Sequence, residues 1–156
     1  MMLSAAALRR AFVAAAISWA VLLPIATWTA GRAHDSSLPY AFAFTMYGLA
    51  SVVCHQKPER SFYLWATQMP VCARCTGIYA GGAVAALAAP LAAQARTRQP
   101  LLRALLVASV MPTAVTLVYE WTTGVMPAGW IRALAGFPMG AAVAWTVLSV
   151  TLPDIH

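Results

Sequence analysis

The sequence is poor in charge. Of its 156 residues, ten are Lys or Arg and four are Asp or Glu, 9% together. A soluble domain carries roughly 25% charged residues. So few cannot cover a water-facing surface of this size. Four acidic residues also leave little material for hydrolysis by paired carboxylates. No G-x-S-x-G, Walker loop or H-E-x-x-H occurs, which removes the serine-hydrolase, nucleotide-hydrolase and zinc-protease signatures. The basic residues form no stripe with interleaved aromatics, so no nucleic acid is expected as a partner. Cysteine is scarce as well, and the three present are an odd number. Two can form a disulfide, or all three can serve a metal. No internal repeat, low-complexity linker or long polar tail divides the chain, so residues 1–156 read as one membrane domain.

What is present is apolar. The hydrophobic fraction is 62%, arranged in runs that predict an all-α, polytopic integral membrane protein with about five transmembrane helices. The first run is 11–30, preceded by Arg9 and Arg10, and it is long enough to span a hydrocarbon core of about 30 Å. It is too long for a typical signal segment and has no clean cleavage site near Ala30, so a retained helix is expected. The second helix is expected at about 36–54, with Pro39 in its first turn and Pro58 beyond its end. Glu59 to Met69 reads as a polar and aromatic connection. The remaining helices fall at about 71–93, 101–120 and 132–152. Trp121 to Trp130 reads as an interfacial turn in an aromatic belt. Gly77 and Gly81 in the third helix, and Gly136 and Gly140 in the fifth, have the small-xxx-small spacing that lets helices approach closely in lipid.

Five crossings would put the N-terminus, the Cys54–Cys75 connection and the Glu120–Arg132 turn on one face. Arg96, Arg98 and the C-terminus would lie on the other. Glu120 ends an apolar run, and Arg132 is its nearest expected partner across the turn. Counts of basic residues favour the cluster face as cytoplasmic, but reverse if Lys57, Arg60, Arg74 and Arg132 serve a site. Charge therefore leaves the orientation open. His34 beside Asp35 and the terminal His156 lack ligand context.

The concentrated chemistry is a cysteine–histidine cluster. Cys72-Ala-Arg-Cys75 places two thiols at positions i and i+3 of a helix start. Cys54 and His55 end the preceding helix, and sixteen residues from Lys57 to Cys72 allow the chain to fold back. Three thiolates and an imidazole make a Cys₃His set suited to zinc, with iron or copper as alternatives. Adjacent residues on a helix point about 100° apart. Cys54 and His55 can share an ion only where the helix has already ended. Thiol–disulfide exchange is the alternative chemistry. Cys72 and Cys75 lie near a helix N-terminus with Arg74 between them, and Cys54 could attack or resolve their disulfide, with a quinone or soluble thiol as partner. Arg60, Arg74 and Tyr79 are candidates for binding a ligand there. A noncatalytic membrane scaffold is the third class.

The segments Cys54-His55-Gln56-Lys57-Pro58-Glu59-Arg60-Ser61-Phe62 and Pro70-Val71-Cys72-Ala73-Arg74-Cys75-Thr76-Gly77-Ile78-Tyr79-Ala80-Gly81 resemble the signature of a prokaryotic membrane family, domain of unknown function 2085. The likeness covers about 47–144. It implies a small multi-helix membrane protein of unassigned biochemical role, with Arg132 and Gly136 matching a later helix-start motif. The resemblance also implies an acid inside the fourth helix after a proline. Here Thr113 to Val118 follow Pro112 without one, and the first acid is Glu120. The expected setting is a bacterial inner or plasma membrane, with lipid and either a membrane protein or a second copy of the chain as partners.

Overall fold

A computed structural model describes residues 4–32, 37–92 and 99–150, with backbone only at 89–92 and 150. Arg96, Arg98, His34, Asp35 and His156 lie outside the described residues. The described residues form five α-helices: α1 (Ala5–Ala30), α2 (Ser37–Val53), α3 (Ala73–Ala92), α4 (Gln99–Thr123) and α5 (Gly129–Val150). Helix α1 starts before its uncharged run because the Ser4 side chain caps it, accepting the Ala7 N–H at 3.2 Å. Arg9 and Arg10 are therefore inside the helix. Arg32 stacks over Trp28 at 4.2 Å, just past the other end of α1. By length and composition, α1, α4 and α5 are long and apolar enough to cross a membrane, whereas α2 is a shorter apolar helix of 17 residues.

The helices lie side by side in the order α2, α1, α3, α5, α4. The α3–α5 contact is the most extensive, and its glycines explain it. A Cβ on Gly77 would run into the Ala133 carbonyl, one on Gly81 into the Phe137 carbonyl, and one on Gly140 into the Ile78 carbonyl. The two helices run parallel with backbones touching, the arrangement that small-xxx-small spacing favours. Their first turns are thereby held side by side, which brings Arg74 and Arg132 to the same level.

The Glu59–Met69 connection is not a plain loop. A single 3₁₀ turn (Pro58–Arg60) leads into a hairpin of β1 (Ser61–Leu64) and β2 (Thr67–Cys72), with Ser61 opposite Cys72 and Leu64 opposite Thr67. The two turn residues, Trp65 at φ 51° and Ala66 at φ 60°, take the left-handed conformations a tight hairpin needs. Neither is the Gly or Asn that usually advertises one. Because β2 runs through Cys72, α3 starts at Ala73 and not at 71.

The hairpin folds back along α2. Gln56 Nε2 donates to the Tyr47 carbonyl at 2.7 Å and the Pro70 carbonyl at 2.8 Å. Gln68 Nε2 donates to the Gln56 carbonyl at 2.6 Å, and the Tyr47 hydroxyl donates to the Gln68 carbonyl. Leu23, Ala50, Cys54, Met69 and Val71 form the buried core beneath the hairpin, with Trp19, Phe62 and Tyr79 packed on it. A second core lies at the far end of the bundle, where Phe12, Val13 and Ala16 of α1 meet Ala86 and Leu148.

The Cys54–Cys75 connection and the Glu120–Arg132 turn share one end of the bundle as expected, but the N-terminus does not. The N-terminal half of α1 lies with the late parts of α3 and α5, away from the cysteines. The C-terminal end of α1 meets the hairpin, where a Cβ on Gly31 would collide with the Thr67 hydroxyl. Counting each apolar run as a crossing failed because the chain turns back after α2.

Candidate metal centre

Three local structures converge on the site. Cys54 directly follows α2, Cys72 ends β2, and Cys75 occupies the first turn of α3. Helix α2 closes with Cys54 donating its N–H to the Ala50 carbonyl at 2.9 Å. The chain then reverses through Gln56 at φ 48°. The Cys54 Sγ accepts the Cys72 backbone N–H at 3.1 Å, which ties the end of α2 to the end of the hairpin. The Thr76 hydroxyl donates to the Cys72 carbonyl at 3.2 Å and steadies the strand-to-helix junction.

The three Sγ atoms all lie within 4.8 Å of one another, and all three cysteines are free thiols. Cys54 is buried, and Cys72 and Cys75 are half-buried. Leu23 marks their depth, about seven residues or 10 Å along α1 from its end. The site is therefore sunk beside the apolar span and roofed by the hairpin. The Tyr79 ring meets Trp19 edge-to-face, with centroids 5.8 Å apart, on the same core.

Cys72 is the acidic member of the trio. A hydrogen bond from the Cys75 thiol is the main cause, joined by the Cys75 backbone N–H, the Cys54 thiol and the charge of Arg132. Together they outweigh burial and bring Cys72 from 9.0 down to about 5.

Next to the thiols is a charged centre. Glu120 lies in the last turn of α4, which ends at Gly124 (φ 67°), whose N–H is donated to the Glu120 carbonyl. Its side chain is 5% exposed and faces three arginines. Arg74 Nη2 lies 3.1 Å from Oε1, Arg132 Nε 3.2 Å from Oε1, and Arg60 Nη2 3.7 Å from Oε2. Arg74 also donates to the Thr116 hydroxyl at 3.2 Å, and Arg132 Nη1 to the Met126 Sδ at 3.4 Å.

The structure thus gathers Cys54, Cys72 and Cys75, and pairs Glu120 with Arg132 as expected. His55 stays outside the thiol group. It is exposed, one residue beyond the buried Cys54, where the backbone has begun to reverse. Arg74 and Arg60 turn to Glu120, and Tyr79 lines the core next to the thiols. The reading from residues alone missed Glu120 as the meeting point of three arginines. It also missed Trp19 and the Tyr47–Gln56–Gln68 network. Gln56 lies inside the Cys-His-Gln motif, so it was within reach; Trp19 carries no mark in an apolar helix.

A family model described as "Predicted membrane protein (DUF2085)" matches residues 54–146, more than half of the chain, and the match includes the three cysteines, Arg60, Arg74, Glu120 and Arg132. An uncharacterized protein of Methanocaldococcus jannaschii is 53% identical over 36 residues, which are 23% of each chain. An uncharacterized protein of Methanothermobacter thermautotrophicus is 46% identical over 61 residues, 39% of this chain and 53% of that one. The matched stretches span less than two thirds of either relative. No solved structure matches.

Proposed function

We propose, on the premise that the chain belongs to the DUF2085 family of predicted membrane proteins, that it is a multi-pass membrane metalloprotein. Cys54, Cys72 and Cys75 hold one soft metal ion. The proximity of three free thiols from three structural elements carries this reading. Tetrahedral zinc with Zn–S bonds of about 2.3 Å sets its sulfurs about 3.8 Å apart. The thiols, within 4.8 Å, need to draw together by about an ångström at most. Zinc is the default ion, and copper(I) or iron suit the same soft donors.

Three protein thiolates leave a fourth position. His55 fills it only by turning inward from its exposed place. Otherwise the position is open to water or a ligand, as in catalytic zinc sites. In either case the ion pins α2, the hairpin and α3 together at one end of the bundle. The setting is a prokaryotic plasma membrane.

Anaerobic titration of the reduced, metal-free protein with cobalt(II) tests this. A thiolate-to-cobalt charge-transfer band saturating at one equivalent, and lost in Cys72→Ser, is expected. A band equally strong in Cys72→Ser would contradict it.

The low pKa of Cys72 beside Cys75 favours a second reading, thiol–disulfide exchange. Cys72 Sγ would attack a partner's disulfide and release one partner thiolate. Cys75 would then attack the mixed disulfide, leaving a Cys72–Cys75 disulfide and a reduced partner. Alkylation trapping in cells separates the readings: a reversible Cys72–Cys75 disulfide supports exchange, and thiols that are always reduced remove its basis.

A further inference from the structure

The metal reading leaves the arginine centre unexplained. One carboxylate is satisfied by one arginine, yet Glu120 faces three. Arg60 comes from the 3₁₀ turn, Arg74 from the start of α3 and Arg132 from the start of α5. Their side chains are 38%, 13% and 2% exposed in that order, so the positive charge grades inward from the surface. Arg60 is part-exposed and keeps its hydration, but Arg74 is mostly buried and Arg132 fully, and these two guanidinium charges against one carboxylate leave an excess of one. Buried charge without a counter-ion is strongly unfavourable.

The hydrogen bonding leans the same way: two buried donors, Arg74 Nε and Arg132 Nε, lack an acceptor, against one buried acceptor, Glu120 Oε2, that lacks a donor. Arg132 Nε is near Glu120 Oε1 but is not aligned for a hydrogen bond. Arg60, at 3.7 Å, holds the loosest of the three contacts and is the one free to turn.

We propose that Arg60, Arg74 and Arg132 form a binding site for a phosphate-type oxyanion beside the thiol centre. The planar guanidinium fork suits a tetrahedral oxyanion with paired donors. The same chemistry fits free phosphate or the phosphate of a lipid headgroup. Glu120 holds the arginines in place, and Arg60 is the entry side. The oxyanion site stands on the arginines and Glu120 alone and does not depend on what the thiols hold.

The test uses the full-length protein purified in detergent, with zinc measured in every sample. Radiolabelled inorganic phosphate is titrated by equilibrium dialysis. Protein in nanodiscs containing phosphatidylglycerol is examined in parallel for retained lipid by native mass spectrometry. Saturable phosphate binding, weakened roughly tenfold or more in Arg74→Gln and several-fold in Arg60→Gln, supports a free oxyanion. Retention of one phosphatidylglycerol, without phosphate binding and lost in the same variants, supports the headgroup. Arg60 is part-exposed, so its replacement keeps the test usable if Arg74→Gln does not fold. Arg103→Gln, elsewhere on α4, is expected to bind like wild type. Absence of both ligands, or equal binding by wild type, Arg60→Gln and Arg74→Gln, overturns the proposal. Zinc bound without any anion leaves the metal reading standing alone, and anion bound without zinc does the reverse.

Discussion

Replacing Glu120 with Gln keeps the shape of the side chain and removes the carboxylate that faces three arginines. The cost can be set against the structure. Arg132 is 2% exposed and Arg74 13%, so neither can recover hydration without moving. Breaking a buried ion pair by deleting one partner costs about 3–5 kcal/mol, because the other charge is left stranded. Arg60 is 38% exposed and 3.7 Å from its partner. Its contact belongs to the surface class, worth about 0–1 kcal/mol. Glu120→Gln is therefore expected to destabilise by at least about 3 kcal/mol and Arg60→Gln by less than about 1 kcal/mol. Sodium dodecyl sulfate titration of detergent-solubilised protein, followed by tryptophan fluorescence, reads both. Adding Arg132→Met to Glu120→Gln should cost less than Arg132→Met alone, since it removes a charge that the first change stranded. If Glu120→Gln and Arg60→Gln cost the same, the carboxylate is not holding buried charge and the reasoning fails.

Glycines give a paired prediction. Gly140→Ala drives a methyl into the Ile78 carbonyl, whereas Gly48 has nothing within 4 Å. The first change should destabilise by about 1–3 kcal/mol, and Gly48→Ala should be neutral or stabilising by up to about 1 kcal/mol; unfolding titrations of the two variants decide. Gln56→Ala removes donors to the Tyr47 and Pro70 carbonyls. It should loosen the hairpin by about 1–2 kcal/mol and speed amide exchange over 61–72, with α5 unaffected. The pKa of Cys72, lowered from 9.0 to about 5, keeps it ionised at neutral pH. In metal-free protein its alkylation by iodoacetamide, followed by mass spectrometry, should be level above about pH 6 and fall as the pH drops through about 5. A rate that keeps climbing to pH 9 would show an ordinary thiol.

Several of these features were legible in the residues. Charge scarcity and run length pointed to five apolar helices, of which α1, α4 and α5 are long and apolar enough to cross a membrane, and glycine spacing marked α3 and α5 as helices built for close packing. The C-x-x-C with Cys54 indicated that the thiols meet. The hairpin was hidden because Trp65 and Ala66 take positive φ without Gly or Asn. Missing it carried a second error. Without the fold-back after Val53, each apolar run counted as a crossing, and the N-terminus was placed beside the cysteines. His55 follows Cys54 directly, yet one residue along a reversing chain is enough to leave it exposed beside the thiol group and not within it. The convergence on Glu120 depends on α3 and α5 touching backbone to backbone. Spacing marks each helix for close packing but names neither its partner nor the side chains the contact aligns.

The central claim is that three thiols from three elements hold one metal ion. Elemental analysis of anaerobically purified protein, wild type against Cys72→Ser/Cys75→Ser, tests it most directly. About one equivalent of zinc, copper or iron, lost in the double variant, is the predicted result. No metal in either protein, together with a disulfide that dithiothreitol opens, would contradict the claim and favour exchange chemistry.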